Sequence, residues 1–171
     1  MIKEKIEKSI NDQINAEMYS AYLYLSMAAD FAEKGLDGFE SWMRVQAQEE
    51  LSHAMKFLDY LQERGGRVEL DEIEKPQKEW GSVLEAFEDA YEHEQYVTER
   101  INKMVDLAEE EGDRATFNML QWYVEEQVEE EDTAEDIVQK LKMIGDNSSG
   151  LFMFDNKMGE RVFTDTTQEE E

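Results

Sequence analysis

The sequence predicts an all-α chain: an up-down-down-up four-helix bundle with one long crossover and a short fifth helix near the C-terminus. Three observations carry this. Apolar residues recur at alternating spacings of three and four through four long segments, which is the seam of a left-handed helix bundle. One proline and nine glycines in 171 residues leave few places where a helix must break. The abundance of Glu, Lys, Leu, Met and Ala favours helix over strand.

The first helix is expected over about 5–34, with Ile6, Ile10, Ile14, Ala21, Ala28 and Phe31 on one stripe. The second, about 38–65, carries Phe39, Met43, Phe57 and Leu61. The third, about 82–111, carries Val83, Phe87, Ala90, Val97, Ile101, Met104 and Ala108, and the fourth, about 114–145, carries Phe117, Leu120, Val124, Ala134, Ile137, Leu141 and Ile144. Gly35–Gly38 and Gly112–Asp113 read as tight turns, so helices one and two form one hairpin and helices three and four another. Between the hairpins lies GGRVELDEIEKPQKEWGS (65–82), which contains the only proline, Pro76. Extended, residues 67–82 reach roughly 50 Å, whereas a helix of this length spans roughly 42 Å. The segment can cross the whole bundle, which makes helices two and three parallel. After the bundle (1–145), residues 146–163 are expected to hold the fifth helix around 149–159, interrupted by Gly150 and Gly159. The acidic tail 164–171, TDTTQEEE, is expected to be disordered.

Composition excludes several functions. A net charge of −26 argues against nucleic acid or an anionic membrane as partner, since both select a basic surface. Such a surface attracts cations instead. There is no cysteine, which rules out disulfides, thiolate-bound zinc and iron–sulfur clusters. No apolar stretch is long enough to span a bilayer and no signal peptide is evident, so a cytoplasmic location is expected.

Each seam is interrupted near its middle. Glu17 and Tyr24 fall among the core positions of helix one, Glu50 and His53 in helix two, Glu94 in helix three, and Gln127 and Glu130 in helix four. Antiparallel pairing about the turn at Gly35 brings Glu17 level with Glu50, and pairing about Gly112 brings Glu94 level with Gln127; both separations are 33 residues. Sliding residues 16–54 onto 93–131 matches Glu17 with Glu94, Tyr19 with Tyr96, Met27 with Met104, Glu33 with Glu110, Gly35 with Gly112 and Glu49 with Glu126. The two hairpins therefore share a register, and all four interruptions meet at one level.

Isolated carboxylates in an apolar core are costly and require neutralisation or a partner. No Lys or Arg occupies these seam positions. Glu17, Glu50, Glu94 and Glu130 together carry four negative charges, which two divalent cations balance. Glu50-x-x-His53 sets a carboxylate and an imidazole on one helical face. Such an oxygen-rich donor set suits iron or manganese better than zinc. Glu94 is placed to bridge across the bundle from Glu50, His53 to complete one metal's shell, and the neutral Gln127 to hold a water or O2. Glu49, Glu126 and Glu129 flank the seam and form a candidate third cation position with Glu130. A single buried Glu or His is ordinarily a boundary or core residue; four carboxylates and a histidine at one level are not. Core packing alone accounts for Tyr24 and Trp122, although both lie close enough for hydrogen-bonding or redox roles. His93 lies one residue off the stripe and is read as a non-ligand. The residues leave three classes open: an iron-storing cage, a di-metal enzyme with resident metals, and a helical module whose buried acids only fix register.

The stretches NAEMYSAYLYLSMA (15–28), WMRVQAQEELSHAMK (42–56), RGGRV (64–68), YEHE (91–94) and LQWYVEEQVEEE (120–131) resemble the non-haem ferritins of bacteria and archaea, along nearly the whole chain. The resemblance implies the ferritin-like bundle with its known di-iron arrangement. It implies a ferroxidase centre with two irons per chain on Glu17, Glu50, His53, Glu94, Gln127 and Glu130, with Tyr24 beside it. A third iron position falls on Glu49, Glu126, Glu129 and Glu130. It further implies Fe(II) and O2 as substrates, and ferric mineral stored in a homo-oligomeric cage, usually of 24 subunits. No haem is expected: bacterioferritins place a second Glu-x-x-His in helix four and a haem-ligating Met after the first motif's Glu, where this chain has Gln127-Val-Glu-Glu130 and Leu51. The acidic iron-entry pore of animal ferritins is not carried over, because the matching region reads Thr116, Phe117 and Leu120.

Overall fold

Turn chemistry sets the helix boundaries in the computed structural model, which describes residues 2–167. Helices α1 (Glu4–Glu33), α2 (Asp37–Glu63), α3 (Val83–Glu110), α4 (Arg114–Ile144) and α5 (Ser148–Met158) follow in order. Gly35 and Gly112 end α1 and α3 with φ of 69° and 64°, a left-handed conformation that costs glycine nothing. Leu36 N–H then bonds back to the Phe31 carbonyl, closing the end of α1. At the other ends, Ser82, Asp113 and Asn147 cap α3, α4 and α5 by accepting from the backbone N–H of Glu85, Thr116 and Gly150. Asp113 also pairs with Arg64 at 2.9 Å, tying the end of α2 to the α3–α4 turn.

The crossover 64–82 runs along the outside of α1 for most of that helix's length, and polar side chains of α1 hold its backbone. Asn11 donates to the Arg67 carbonyl at 2.9 Å and accepts from Glu69 N–H at 2.8 Å, Asn15 donates to the Glu72 carbonyl, and Ser26 donates to the Gln77 carbonyl. Trp80, buried at the far end, donates its indole N–H to Asp89. Helix α3 therefore starts level with the C-terminus of α1 and runs parallel to α2, in the expected up-down-down-up order.

The core is divided. One apolar cluster, built on Phe31, Phe39, Trp42, Phe87 and Leu141, fills the end of the bundle near Gly35. A second, built on Ile6, Ile10, Phe57, Ile101 and Tyr123, fills the other end. Between them lies a layer of buried polar side chains.

The fifth helix falls within a residue of the expected 149–159, and its two glycines sit in its first turn and at its C-cap. It docks on the start of α2. Asp155 accepts from Phe39 N–H at 2.9 Å, and Phe154 packs edge-on to Phe39. Gly38 permits that approach, since a Cβ there would lie 1.6 Å from the Asp155 carbonyl oxygen. Beyond α5, residues 164–167 of the acidic tail make contacts with the bundle. Lys56 donates to the Thr167 carbonyl at 3.0 Å and Thr166 reaches Glu126 at 3.4 Å, so these residues lie along α2 and α4. The rest of the expected tail, 168–171, lies outside the described residues. Among the described residues no helix is long and apolar enough to cross a membrane.

Candidate metal centre

The polar layer gathers every expected seam residue. Glu17, Glu50, His53 and Glu94 are no more than 2% exposed, Gln127 4% and Glu130 9%. Two groups of ligand atoms lie within 4.8 Å of one another: Glu17, Glu50 and His53 in one, and Glu50, Glu94 and Glu130 in the other. Glu50 belongs to both. It is thus the carboxylate common to the two candidate ligand groups, whereas Glu94, expected to bridge, belongs to one group only.

Hydrogen bonds orient most of these groups. Gln13 donates to Glu17 Oε1 at 2.7 Å. Gln46 donates through the same nitrogen to Glu50 Oε1 and Glu130 Oε2, both at 2.9 Å. Tyr24, fully buried, donates its hydroxyl to Glu94. Gln127 donates to the carboxylate and backbone carbonyl of Glu94 at 3.2 Å and to Thr98, so its amide acts on Glu94 in this arrangement. His53 Nδ1 lies 3.6 Å from Glu50, and its ring meets Trp122 edge-on at 5.4 Å. Among the described residues, Glu17 Oε2 is buried without a hydrogen bond. An unsatisfied buried carboxylate oxygen is costly, and a cation at this position relieves it.

Electrostatics agree with that reading. Burial, reinforced by the neighbouring Glu50 carboxylate, pushes Glu17 and Glu94 from 4.5 to about 8. The same desolvation raises Glu50 and Glu130, each repelled by a neighbouring carboxylate. Burial also raises the Tyr24 phenol well above its ordinary value, which keeps it a donor. Burial thus favours the protonated carboxyl groups in the layer, and a divalent cation would have to displace those protons to bind there.

The residues expected at a third cation position are arranged differently. Glu49 and Glu126 are half-buried and Glu129 is exposed. Glu49 pairs with the Arg161 guanidinium, which also lies 4.3 Å over the Trp42 ring. Glu126 lies 3.9 Å from His53 Nε2. His93, read as a non-ligand, hydrogen-bonds Ser20 at 2.8 Å, and burial lowers its pKa to about 4.

Sequence reasoning missed Gln13 and Gln46. Their signal was present: each stands four residues before a seam glutamate, and the two Gln-x-x-x-Glu pairs are 33 residues apart, as are Glu17 and Glu50. Arg161 carried no signal, because it follows a short helix and belongs to no periodic pattern.

A family model described as a ferritin-like domain matches residues 7–144. The chain is 46% identical over 161 residues to the bacterial non-heme ferritin of Bacteroides fragilis, covering 94% of this chain and all of the relative. It is 44% identical over 155 residues to that of Campylobacter jejuni, covering 91% and 93%. Among solved structures it is similar to an engineered closed form of the Archaeoglobus fulgidus ferritin, at 57% identity and a TM-score of 0.95 over 96% of this chain and 100% of that one. The open-pore ferritin from the same archaeon matches at 56% identity and a TM-score of 0.94, over 95% of this chain and all of that one.

Proposed function

The chain belongs to the ferritin family, and on that premise we propose that it is a ferroxidase that oxidises Fe(II) with O2 at the Glu17–Glu130 layer and stores the ferric product inside a homo-oligomeric cage. The observation that carries this reading is Glu50, whose carboxylate belongs to both ligand groups. A shared carboxylate would hold two Fe(II) substrates side by side, so that each gives one electron to the same O2, which takes up two protons and leaves as hydrogen peroxide. Glu17 and His53 complete one position; Glu94 and Glu130 complete the other. Two divalent cations offset the four buried charges, and the protons they displace leave the raised carboxyl groups. Tyr24 and Gln127 donate to Glu94 and hold its remaining lone pairs away from solvent. Ferric product, more highly charged, then moves towards the acidic groups beyond the layer, with Glu49, Glu126 and Glu129 offering a third position.

A cage accounts for apolar surface that a lone chain would not leave bare. Tyr22 and Leu25 on α1 and Leu70 and Ile73 on the adjoining crossover are 41–71% exposed, on a chain whose charge otherwise keeps copies apart. We assign this surface to contacts between copies, in a shell of 24 on the family's pattern, in the cytoplasm.

The test adds a large excess of Fe(II) in air while following ferric absorbance and particle mass. Iron retained far beyond two or three per chain, in a single large particle, is expected. Uptake that stops at two or three per chain overturns the storage reading and favours a di-metal enzyme with resident metals.

A further inference from the structure

We propose that Arg100 and Arg161 are positioning residues of the metal centre, acting on its carboxylates through the buried amides of Gln13 and Gln46. The inference rests on the ferroxidase reading of the layer. Both glutamines are at most 1% exposed, and both stand one helical turn before a ligand carboxylate. A primary amide has an accepting end and a donating end of nearly equal shape, so packing alone does not decide which faces the carboxylate. An arginine decides it here. Arg100 Nε donates to Gln13 Oε1 at 2.8 Å, and Arg161 Nη1 donates to Gln46 Oε1 at 2.8 Å. A guanidinium has donors only, so the amide oxygen must face it and the amide N–H groups must face the carboxylates.

The two relays differ in reach. Gln13 holds Glu17 alone. Gln46 uses both N–H groups, one on Glu50 of α2 and one on Glu130 of α4, and so sets the spacing of two ligands from different hairpins. Each arginine is itself anchored. Arg100 donates to the Asp12 carbonyl at 2.9 Å and to the Tyr96 hydroxyl at 3.2 Å. Arg161 is bonded to Glu49 and stacked on Trp42, so the segment after α5 reaches the centre without touching it. Partners that orient metal ligands change metal affinity by about 10–100-fold when removed.

The experiment is an anaerobic Fe(II) titration of the assembled full-length protein by calorimetry. Arg161→Met keeps the apolar stem on Trp42 and removes the fork; it is expected to weaken both iron positions about tenfold. Arg100→Met is expected to weaken only the position containing Glu17, leaving the other within twofold. The double variant Arg161→Met/Gln46→Leu is expected to bind no more weakly than Gln46→Leu alone, which distinguishes action through the amide from general damage. Affinities within twofold of the parent in either arginine variant overturn the proposal for that arginine, and additive losses in the double variant overturn the relay. Should a Met variant fail to assemble, Gln at the same position keeps a polar side chain but can accept as well as donate and so no longer fixes the buried amide, and parent-like affinity there overturns the proposal equally. A parent protein that binds no Fe(II) at the layer overturns the ferroxidase reading, and the relay with it.

Discussion

The α1–α2 hairpin presents Glu17, Glu50 and His53 and also carries the glutamines that orient its carboxylates, Gln13 and Gln46. The α3–α4 hairpin presents Glu94, Gln127 and Glu130 and supplies one orienting group of its own, Gln127 on Glu94, but draws the others from its neighbour: Tyr24 of α1 bonds Glu94, and Gln46 of α2 bonds Glu130. The hairpins share a register yet not a division of labour. The first is a nearly self-sufficient half-site that includes the shared ligand, whereas the second is completed by contacts across the bundle. Matching residue for residue between two similar hairpins therefore locates ligands without assigning equal roles to them.

That asymmetry ranks the effects of substitution. Glu50→Ala is expected to be the most damaging, because it removes a ligand from both positions at once. Anaerobic Fe(II) titration should show loss of both, with oxidation slowed by about 100-fold as the remaining groups lose their geometry. Retention of either position at the parent affinity would break the comparison. Glu130→Ala is expected to be milder and one-sided. It should weaken the Glu94 position at least about tenfold while the Glu17–Glu50–His53 position survives. Equal loss of both positions in the same titration would show that the first half-site is not self-sufficient.

The smallest effect concerns the metal-free protein. Glu17 and Glu94 keep their protons to about pH 8, whereas the unfolded chain releases them near 4.5. Across that window the folded state binds more protons than the unfolded state, so stability falls as pH rises. Thermal unfolding of the metal-free protein should show a Tm that drops steadily between pH 5.5 and 8, each kcal/mol lost lowering it by about 2–4 °C for a chain of this size. Saturating divalent metal should reverse that slope, since metal replaces the protons. A metal-free Tm that rises over this range would mean that the carboxylates are already ionised and paired.

Much of this was legible in the sequence. Period fixed the four long helices to within two residues, because each seam is long and bounded by a glycine turn. Breaks in the seam marked six buried polar residues of the layer, since periodicity reports which positions face inward. It does not report which inward group bonds which. The role of Glu50 as the shared ligand depends on side-chain directions at one level of the bundle, and a linear pattern assigns Glu94 to that place as readily. Gln13 was passed over for another reason: it lies beside the seam, where a glutamine reads as boundary unless its repeat with Gln46, four residues before a seam glutamate, is noticed. Residues 161–167 were unreadable because a segment without period takes its position from what it binds, here Gln46, Glu49, Lys56 and Glu126.

The division of the core into two apolar clusters has a consequence for how the chain finds its fold. A seam of threes and fours is self-similar, so one hairpin can slide along the other by a turn and still bury hydrocarbon against hydrocarbon. The polar layer removes that freedom. A slip of one turn would carry Glu50 towards apolar residues of the facing hairpin, Ala90 and Phe87 at one end or Val97 and Ile101 at the other, and would part Gln46 from Glu130, leaving buried carboxyl groups without their polar partners. The layer thus acts as an alignment key between two otherwise interchangeable zippers, and it selects one pairing of the helices before any iron arrives.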